Sequence, residues 1–330
     1  MTTAPLANIT TIATFPEHFF LENLAVRADG SILVTVLNRK QLWYVPAPNA
    51  GQPVTPALVH TFDHFAMGIV ETEPDIFYVS TANQATLERF DMRGWVPGAP
   101  VKRTRVLTFD QPAGLNGSCL IAPGVILLAD SLAGLIWRVD LADDSLTAAA
   151  SVWLQHHTMA PDPDNGLTSP IGPQPGINGI RYAERSNVLY YSSTAHKLFM
   201  RVAVDPATYT PLRQPEVVAA DITADDLCLD EHAGVAYLTT HTDNTIVRVP
   251  IDAGAESATR SVVAGDPFTE QLVGPSSAAW ARGPADYGRV AYVTTDGGHT
   301  AIQYHRPGTD GTIRPAHVVR VQFDRERPAR

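Results

Sequence analysis

Apolar and polar residues alternate in short runs along the whole chain, and these runs recur as a unit. Each unit contains an apolar run, a turn, a β-rich run ending near Thr or Ser, a short polar loop and a further apolar run. Helical periodicity is weak, and Gly and Pro interrupt the chain every few residues, which is typical of short strands joined by turns. Six copies follow one another: LAVRADGSILVTVLNRKQLWYV, GIVETEPDIFYVSTANQATLERF, GSCLIAPGVILLADSLAGLIWRV, GIRYAERSNVLYYSSTAHKLFMRV, DLCLDEHAGVAYLTTHTDNTIVRV and SAAWARGPADYGRVAYVTTDGGHTAIQYH.

The spacing of the copies indicates the architecture. Their second runs align on Val34, Tyr78, Leu127, Tyr190, Tyr237 and Tyr292, at intervals of 44, 49, 63, 47 and 55 residues. Such intervals suit a four-stranded propeller blade and are too long for a solenoid rung. A fourth β-rich run follows each of the first five copies, namely ALVHTF, TRVLTF, SVWLQ, EVVAAD and SVVAGD. The sequence therefore predicts an all-β protein, a six-bladed β-propeller of four-stranded antiparallel blades. A pair of β-sandwiches would leave the common register unexplained.

The two ends of the chain have the same β-rich character as the fourth runs. ITTIATF (9–15) and HVVRVQF (317–323) are predicted to share a blade and close the ring, which removes exposed sheet edges. Six blades of roughly 50 residues use the chain without a linker, so a single propeller domain is predicted over residues 1–330. A Pro-rich stretch at 156–175 interrupts the repeat between blades 3 and 4. Because long loops inside compact domains are usually functional, it is predicted to be a lid.

One position of the repeat carries oxygen-bearing side chains. In each blade the first strand lines the central channel, and its first residue lies at the channel mouth. Aligned copies place Glu22, Ala66, Asn116, Asn178 and Asp225 at this position, with Ser276 or Ser277 in the last copy. Converging carboxylate and amide oxygens are what a hard divalent cation requires. The alternative is that these side chains cap strand starts by bonding to neighbouring backbone. Either arrangement makes the mouth polar.

The loops on the same face contain seven of the 11 histidines and several large apolar side chains. Together the histidines indicate proton transfer, although any single one is typical of a surface. They are His18, His64, His156, His157, His196, His241 and His299. His64 is a candidate catalytic residue, and His157, His196, His241 and His299 are candidates for substrate binding. Phe20, Phe65 and Met67 are predicted to give the mouth an apolar wall, while Phe19, Met159 and Phe268 include side chains that pack beneath loops.

Composition narrows the class of protein further. With 45% hydrophobic and 18% charged residues the chain is globular, and 24 basic against 34 acidic residues give a net charge of −10. An acidic surface disfavours nucleic acid as a partner. No apolar stretch reaches the roughly 18 residues of a membrane span, and the first 20 residues show no secretory signal, so a cytoplasmic location is expected. Cys119 and Cys228 lie in apolar runs and are predicted to be buried free thiols.

Three segments resemble a known superfamily over essentially the whole chain. ENLAVRADGSILVT, PGINGIRY and ADDLCLDEHAGVAYLTT are similar to the six-bladed propellers of the senescence-marker-protein/gluconolactonase superfamily. The resemblance implies a divalent metal such as Ca²⁺ held by Glu22, Asn178 and Asp225, with Asn116 as a fourth residue nearby. Two motifs depart from the pattern, since E-G-P is Glu22-Asn23-Leu24 here and N-D-G is Asn116-Gly117-Ser118. The basic residue that anchors a sugar acid in the superfamily is Gly114 here.

The variants E-N-L-A-V-R, L-N-G, I-N-G-I-R and D-D resemble a fungal secondary-metabolite branch more closely. That branch includes hetero-Diels–Alderases, which join a tropolone o-quinone methide to a humulene-type terpene and form the dihydropyran of a meroterpenoid. The resemblance implies a pericyclase that holds a small hydrophobic polyketide- or terpene-type substrate in a near-attack pose, with no cofactor required. Its catalytic candidates are Glu22, Asn116, Asn178, Asp225 and His64.

Two other functions stay open. In a lactonase of the gluconolactonase type, the metal would polarise the lactone carbonyl and activate water, with Asp225 or a neighbouring histidine as the base. The intact ligand set favours this alternative. A non-catalytic propeller that binds a protein partner is the third hypothesis, and the acidic, polar mouth argues against it.

Overall fold

The computed structural model describes residues 7–48, 52–111, 113–162, 174–252, 260–299 and 311–323. Over these ranges, 24 strands form six four-stranded antiparallel sheets. Three one-turn 3-10 helices are also present, at His157–Met159, His241–Asp243 and Glu270–Leu272. The predicted all-β, six-bladed propeller is confirmed.

Each of the first three blades is a meander of consecutive strands, counted outward from the channel. Blade 1 contains β2 (Leu21–Val26), β3 (Ile32–Val36), β4 (Gln41–Val45) and β5 (Ala57–Thr61). Blade 2 contains β6 (Phe65–Glu73), β7 (Ile76–Ala82), β8 (Thr86–Asp91) and β9 (Lys102–Thr108). Blade 3 contains β10 (Leu115–Ala122), β11 (Val125–Asp130), β12 (Leu135–Leu141) and β13 (Ala148–Gln155).

Blades 4 and 5 repeat this order, and blade 6 is built from both ends of the chain. Blade 4 contains β14 (Ile177–Ala183), β15 (Val188–Ser193), β16 (Leu198–Ala203) and β17 (Glu216–Ala220). Blade 5 contains β18 (Leu227–Asp230), β19 (Val235–Thr240), β20 (Thr245–Pro250) and β21 (Ser261–Ala264). Blade 6 contains β22 (Pro275–Trp280), β23 (Val290–Thr295), β24 (Pro315–Gln322) and, outermost, β1 (Asn8–Glu17).

The ring closes as the two end segments predict. β1 pairs antiparallel with β24, from Asn8 opposite Gln322 to Glu17 opposite Pro315. The inner strands β2, β6, β10, β14, β18 and β22 contact their neighbours in a continuous cycle. The N-terminal segment therefore supplies the outer edge of the blade formed by the C-terminal strands.

The core lies between blades, which explains why the second strands are almost continuously apolar. In β3, Val34 packs toward blade 6 with Tyr292, whereas Leu33 packs toward blade 2 with Phe77. A strand covered on both faces loses the alternation of a half-exposed strand. Cys119 and Cys228 lie in these layers as buried free thiols, as predicted.

A bulge in the inner strands aims side chains into the channel. The pairing register shifts between Leu21 and Leu24, and between Leu115 and Ser118. It shifts at the matching place in β6, β14 and β22. A bulge inserts an extra residue that bends the strand and redirects a side chain. Glu22, Asn116 and Asn178 are the second residues of their strands and lie in these bulges.

Hydroxyl groups connect neighbouring blades around the channel. Thr35 Oγ1 donates to Met67 O of the next blade at 2.7 Å, and Thr239 Oγ1 donates to Ser276 O at 3.1 Å. Thr294 Oγ1 closes the circle by donating to Glu22 O at 3.3 Å. The Thr and Ser at the ends of the second strands therefore satisfy buried carbonyls that the bulges leave unpaired.

Two other sequence predictions concern the surroundings of the ring. The start of the predicted lid, residues 156–162, is a short loop with one 3-10 turn, and Met159 within it is fully buried. Most of the rest, 163–173, lies outside the described residues. No helix in the described part of the chain is long and apolar enough to cross a membrane.

Candidate functional site

A cavity of about 180 Å³ opens at the end of the ring where the inner strands begin. Its polar wall contains Glu22 from blade 1, Asn116 from blade 3, Asn178 from blade 4 and Asp225, which precedes β18 of blade 5. His241, just after β19, lies beside them. The repeat position identified in the sequence thus brings four oxygen-bearing side chains into a single cavity, and the loop after β19 adds one imidazole.

The two asparagines are held by one repeated device. Asn116 Nδ2 donates to Ser131 Oγ at 3.2 Å, and that hydroxyl donates its proton to Ile177 O at 2.5 Å. Asn178 Nδ2 donates to Thr194 Oγ1 at 3.0 Å, and that hydroxyl donates to Ala224 O at 2.7 Å. Because each hydroxyl donates its one proton to a carbonyl, it can only accept a hydrogen bond from the amide. This assigns the NH₂ ends of both amides and leaves the Oδ1 atoms as acceptors at the cavity.

His241 lies between two buried carboxylates. Its Nδ1 is 2.9 Å from Asp225 Oδ2, and its Nε2 is 3.0 Å from Asp296 Oδ2. A carboxylate can only accept, so Nδ1 carries a proton in its contact with Asp225. The contact at Nε2 is within ion-pair distance but does not have the geometry of a hydrogen bond. Burial lowers the pKa of His241, but the charges of Asp296 and Asp225 outweigh it and hold the pKa well above its ordinary value.

Asp296 is the principal site residue that the sequence did not reveal. It is 0% exposed, follows β23, and accepts a hydrogen bond from Gly298 N at Oδ1, 2.7 Å away, while Oδ2 faces His241. Gly274, with φ +67°, leaves room for this carboxylate, since a Cβ there would lie 1.7 Å from Asp296 Oδ1. The signal in the sequence is the turn TTDGGH, in which Asp296 directly follows the second strand of blade 6.

Glu22 has the opposite electrostatic environment to Asp225. Burial and the charge of nearby Asp225 raise the pKa of Glu22 well above its usual value, and His241 offsets this only in part. Glu22 therefore keeps its proton to a higher pH than an exposed glutamate does. The same cavity holds this carboxyl group on blade 1 and the contact between Asp225 and His241 on blade 5.

The remaining wall is largely apolar. Phe20, Leu37, Met67, Leu115 and Leu132 line it. The Leu132 side chain fills the space above Gly114, because a Cβ on that glycine would lie 2.5 Å from Leu132 Cγ. Leu132 occupies the space that a charged side chain at position 114 would take. This part of the cavity therefore suits a hydrocarbon group.

Below the cavity, the Asp226 side chain connects neighbouring blades across the channel. Its Oδ2 accepts from Arg181 Nη2 at 2.7 Å and from Ser277 Oγ. Arg181 also donates to Ala278 O at 3.3 Å. This network joins blades 4, 5 and 6 and forms a polar floor. The positive charge of Arg181 is thereby committed to Asp226, one residue beyond Asp225.

The other predicted site residues lie around the cavity and are not among the described residues that line it. His299 contacts the Phe20 ring, with centroids 6.3 Å apart. His196 Nε2 lies 2.9 Å from Ala160 O, and His157 stacks on His156 at 4.1 Å. His64 and Phe65 are half-buried at the start of β6, beside Ala66. Their proposed roles in catalysis and substrate binding remain predictions.

Glu22, Asn178 and Asp225 are the side chains whose oxygen atoms would hold a divalent cation, and all three line this cavity. Among the described residues, no group of three or more His, Cys, Asp or Glu side chains is placed to hold one. Asp225 Oδ2 lies 2.9 Å from His241 Nδ1, so one oxygen of this expected ligand is already in contact with another side chain.

Solved structures with this fold include enzyme and calcium-binding propellers. A luciferin-regenerating enzyme superposes with a TM-score of 0.67 at 14% identity, covering 96% of this chain and 95% of its own. Regucalcin from Agrobacterium tumefaciens, described as a calcium-binding protein, gives 0.61 at 13% identity, covering 98% and 95%. A protein described as a candidate gluconolactonase gives 0.61 at 15% identity, covering 96% and 92%. The chain therefore has the six-bladed fold of gluconolactonase-like propellers.

The same fold says less about activity. No family model and no curated protein sequence matches this chain. Since one fold supports many chemistries, activity has to be argued from the cavity itself.

Proposed function

We propose that this protein is a hydrolase of lactones or related esters that carry an apolar group. The observation that carries the proposal is the pair of carboxyl groups in one cavity, Glu22, whose pKa burial raises well above its usual value, and Asp225, which contacts His241. Two carboxyl groups with opposed environments are a common arrangement for general acid and general base catalysis. The enzyme propellers with this fold, including the candidate gluconolactonase, support the same choice.

In the proposed reaction Asp225 is the general base. It takes a proton from a water molecule that attacks the lactone carbonyl carbon. The second proton of that water is donated to Oδ1 of Asn178 or Asn116, which orients the water; these oxygens are the free acceptors because the amide nitrogens already donate to Thr194 and Ser131. His241 holds Asp225 in place through the contact at Nδ1.

Glu22 is the general acid. Its proton first donates a hydrogen bond to the carbonyl oxygen, where negative charge develops, and then passes to the ring oxygen as the C–O bond breaks. The product is a hydroxy acid. Proton exchange with solvent restores Glu22 and Asp225 for the next cycle.

The substrate class follows from the wall opposite these groups. Leu132 over Gly114, with Phe20 and Met67, offers no charged group for a polyhydroxylated acid. A lactone with an alkyl or terpenoid substituent is therefore the expected substrate, in preference to a sugar lactone.

The proposal is tested by hydrolysis of a lactone series, from glucono-δ-lactone to δ-lactones with lengthening alkyl chains, followed by pH-stat titration. We expect kcat/KM to rise with chain length. E22Q and D225N should each lower kcat/KM by about 10²- to 10⁴-fold, whereas E73Q, at the exposed end of β6, and D143N, on an exposed turn, should leave it unchanged. Hydrolysis that is unaffected by E22Q and D225N would overturn the proposal.

A hetero-Diels–Alderase is the second candidate function. Its support is the same carboxyl group of Glu22, which when protonated can hydrogen-bond to a tropolone oxygen, next to an apolar wall that can hold a terpene. Incubation with a hydroxymethyl-tropolone and a humulene-type alcohol distinguishes the two. Dihydropyran formation without lactone opening would favour the pericyclase, and lactone opening without cycloadduct would exclude it.

A further inference from the structure

The lining of the cavity divides by blade. Its large apolar side chains come from blades 1, 2 and 3, and most of its polar side chains come from blades 4 and 5. Blade 5 lies opposite blade 2, because the six inner strands follow one another in chain order around the ring. A ligand held here therefore has a hydrocarbon wall on one side and hydrogen-bonding groups on the other.

Four hydroxyl side chains are among the polar groups of this lining, those of Ser131, Thr194, Thr223 and Thr242. The first two are already engaged, since each donates its proton to a backbone carbonyl and accepts a hydrogen bond from an asparagine amide. Thr242 Oγ1 has no partner, but it is enclosed by protein atoms and does not reach the cavity surface. Three of the four hydroxyls are thus engaged or out of reach of a ligand.

Thr223 provides the fourth hydroxyl, and it is free. The residue is 8% exposed, and its Oγ1 makes no hydrogen bond with any group in the described part of the chain. The backbone is fixed on both sides, since the N–H groups of Ile222 and Asp225 donate to backbone carbonyls at 3.1 Å and 2.8 Å. A hydroxyl so deeply placed is costly to leave without a partner. The rigid position of Thr223 at the cavity indicates that the missing partner is a group on the ligand.

We propose that Thr223 is a specificity-determining residue that binds a hydroxyl group of the ligand. The inference rests on the proposed function for the rest of the ligand, which becomes a δ-lactone with an alkyl chain and a separate ring hydroxyl. The alkyl chain lies against blades 1 to 3, and the hydroxyl bonds to Thr223 on blade 5. A carboxylate substituent is disfavoured, because Glu22 and Asp225 line the cavity and neither Lys nor Arg does within the described residues.

The arrangement predicts discrimination between ligands that differ by one hydroxyl group. A hydroxylated ligand satisfies Thr223, whereas its deoxy analogue leaves the buried side chain unpaired. Sites that hydrogen-bond a substrate hydroxyl reject the analogue lacking it far more strongly than an apolar pocket rejects an added hydroxyl. Removal of the Thr223 hydroxyl should therefore abolish the preference without weakening the binding of the deoxy ligand.

The first experiment measures binding alone, with lactams that the protein does not open during the measurement. The probes are δ-decanolactam and β-hydroxy-δ-decanolactam, each as its tighter-binding stereoisomer, and the method is isothermal titration calorimetry. The natural protein should bind the hydroxylated lactam about tenfold more tightly. T223V, which replaces the hydroxyl with a methyl group, should bind both lactams equally well, and T223S should retain the preference.

The second experiment measures hydrolysis of the matching lactones. T223V should lower kcat/KM for β-hydroxy-δ-decanolactone about tenfold and leave that for δ-decanolactone unchanged, whereas E22Q should lower both. T61V is the matched control, since Thr61 is exposed at the end of β5, and it should change neither value. A T223V protein in which both values fall alike would contradict the inference, because a general structural defect acts on both lactones.

Equal affinity of the natural protein for the two lactams, or binding of neither, would overturn the inference. So would a folded T223V that keeps the preference for the hydroxylated lactam. Should T223V fail to fold, T223A replaces it, with the same expected loss of preference. Discrimination between the lactams without hydrolysis of either lactone would support Thr223 as the hydroxyl site and contradict the proposed hydrolase, so the two failures are distinguishable.

Discussion

At the scale of single residues, burial and neighbouring charge decide which form of an acid is present. Glu22 and His241 both retain protons in the folded protein that they would release more readily in water. For Glu22 the cause is mainly burial, and for His241 it is Asp296 and Asp225 acting against burial. Folding therefore raises the proton affinity of two groups in one cavity, a carboxyl group and an imidazole.

These two protons make stability depend on pH. The folded pKa of His241 is above its unfolded pKa. The stabilisation that this group contributes is therefore complete below about pH 6.5 and is lost as the pH rises through the folded pKa. Glu22 contributes with the same sign. Its stabilisation begins to be lost as the pH rises above the unfolded pKa of about 4.3. The free energy of unfolding should fall above pH 6.5 by up to about 1.4 kcal/mol per pH unit from His241.

Urea unfolding of the natural protein and of H241Q between pH 5 and 9 tests this. Above pH 6.5, the free energy of unfolding should fall less steeply with pH in H241Q than in the natural protein. Between pH 5 and 6 the two proteins should show the same dependence. Equal slopes in the two proteins above pH 6.5 would show that His241 is not held as an imidazolium.

Gly274 allows a matched comparison with Gly94. Both have positive φ, +67° and +68°, but a Cβ at 274 would collide with Asp296 whereas a Cβ at 94 meets nothing within 4 Å. G94A should cost about 1–2 kcal/mol of stability from backbone strain alone. G274A should cost about 1–3 kcal/mol more, because it displaces the buried carboxylate. Chemical denaturation of the two variants measures the difference, and equal losses would show that Asp296 can move freely.

At the scale of elements, strand β1 closes the ring. Phe15 in β1 is 2% exposed and packs in the layer between blades 6 and 1, with an edge-on contact to Trp43 at 5.5 Å. The strand is held to β24 by its ladder and to blade 1 by these side chains. Closure therefore depends on backbone pairing between opposite ends of the chain, from Asn8 with Gln322 to Glu17 with Pro315, and on side-chain packing against blade 1.

F15A should lower the free energy of unfolding by about 3–5 kcal/mol, as deletion of a buried phenylalanine ring usually does. F268A is the control, since Phe268 is 57% exposed and its loss should change stability by less than about 0.5 kcal/mol. Denaturant titration followed by tryptophan fluorescence measures both. A small effect of F15A would mean that the ring stays closed without this side chain.

At the scale of the whole molecule, the closed ring seals the layers between blades from solvent. Cys119 lies between blades 3 and 4, and Cys228 lies between blades 5 and 6. Burial raises the pKa of Cys119 to about 12 and shifts that of Cys228 in the same direction. Neither thiol is a nucleophile in the native state.

Both thiols should resist dithionitrobenzoate at pH 8 in the native protein and react fully in denaturant. The rate in intermediate urea should follow the fraction of unfolded protein, because opening of one blade exposes the layers on either side of it. Fast labelling of either cysteine in native buffer would contradict the sealed ring.

Much of this molecule can be predicted from the order of residues alone. The six repeats define the blades, because an apolar run of five or six residues beside turn residues has few other stable arrangements. The repeat also places Glu22, Asn116, Asn178 and Asp225 at one end of the channel, since equal positions in equal blades occupy equal positions in the ring.

What the tertiary structure alone decided is how these side chains are charged and paired. Asp296 and His241 lie 55 residues apart on different blades, and neither their contact nor the room left by Gly274 follows from local pattern. The raised pKa values of Glu22 and His241 arise from burial and from through-space charge, which are properties of the folded ring. Local sequence thus determines which groups reach the channel mouth. Only their three-dimensional distances determine which groups hold the protons.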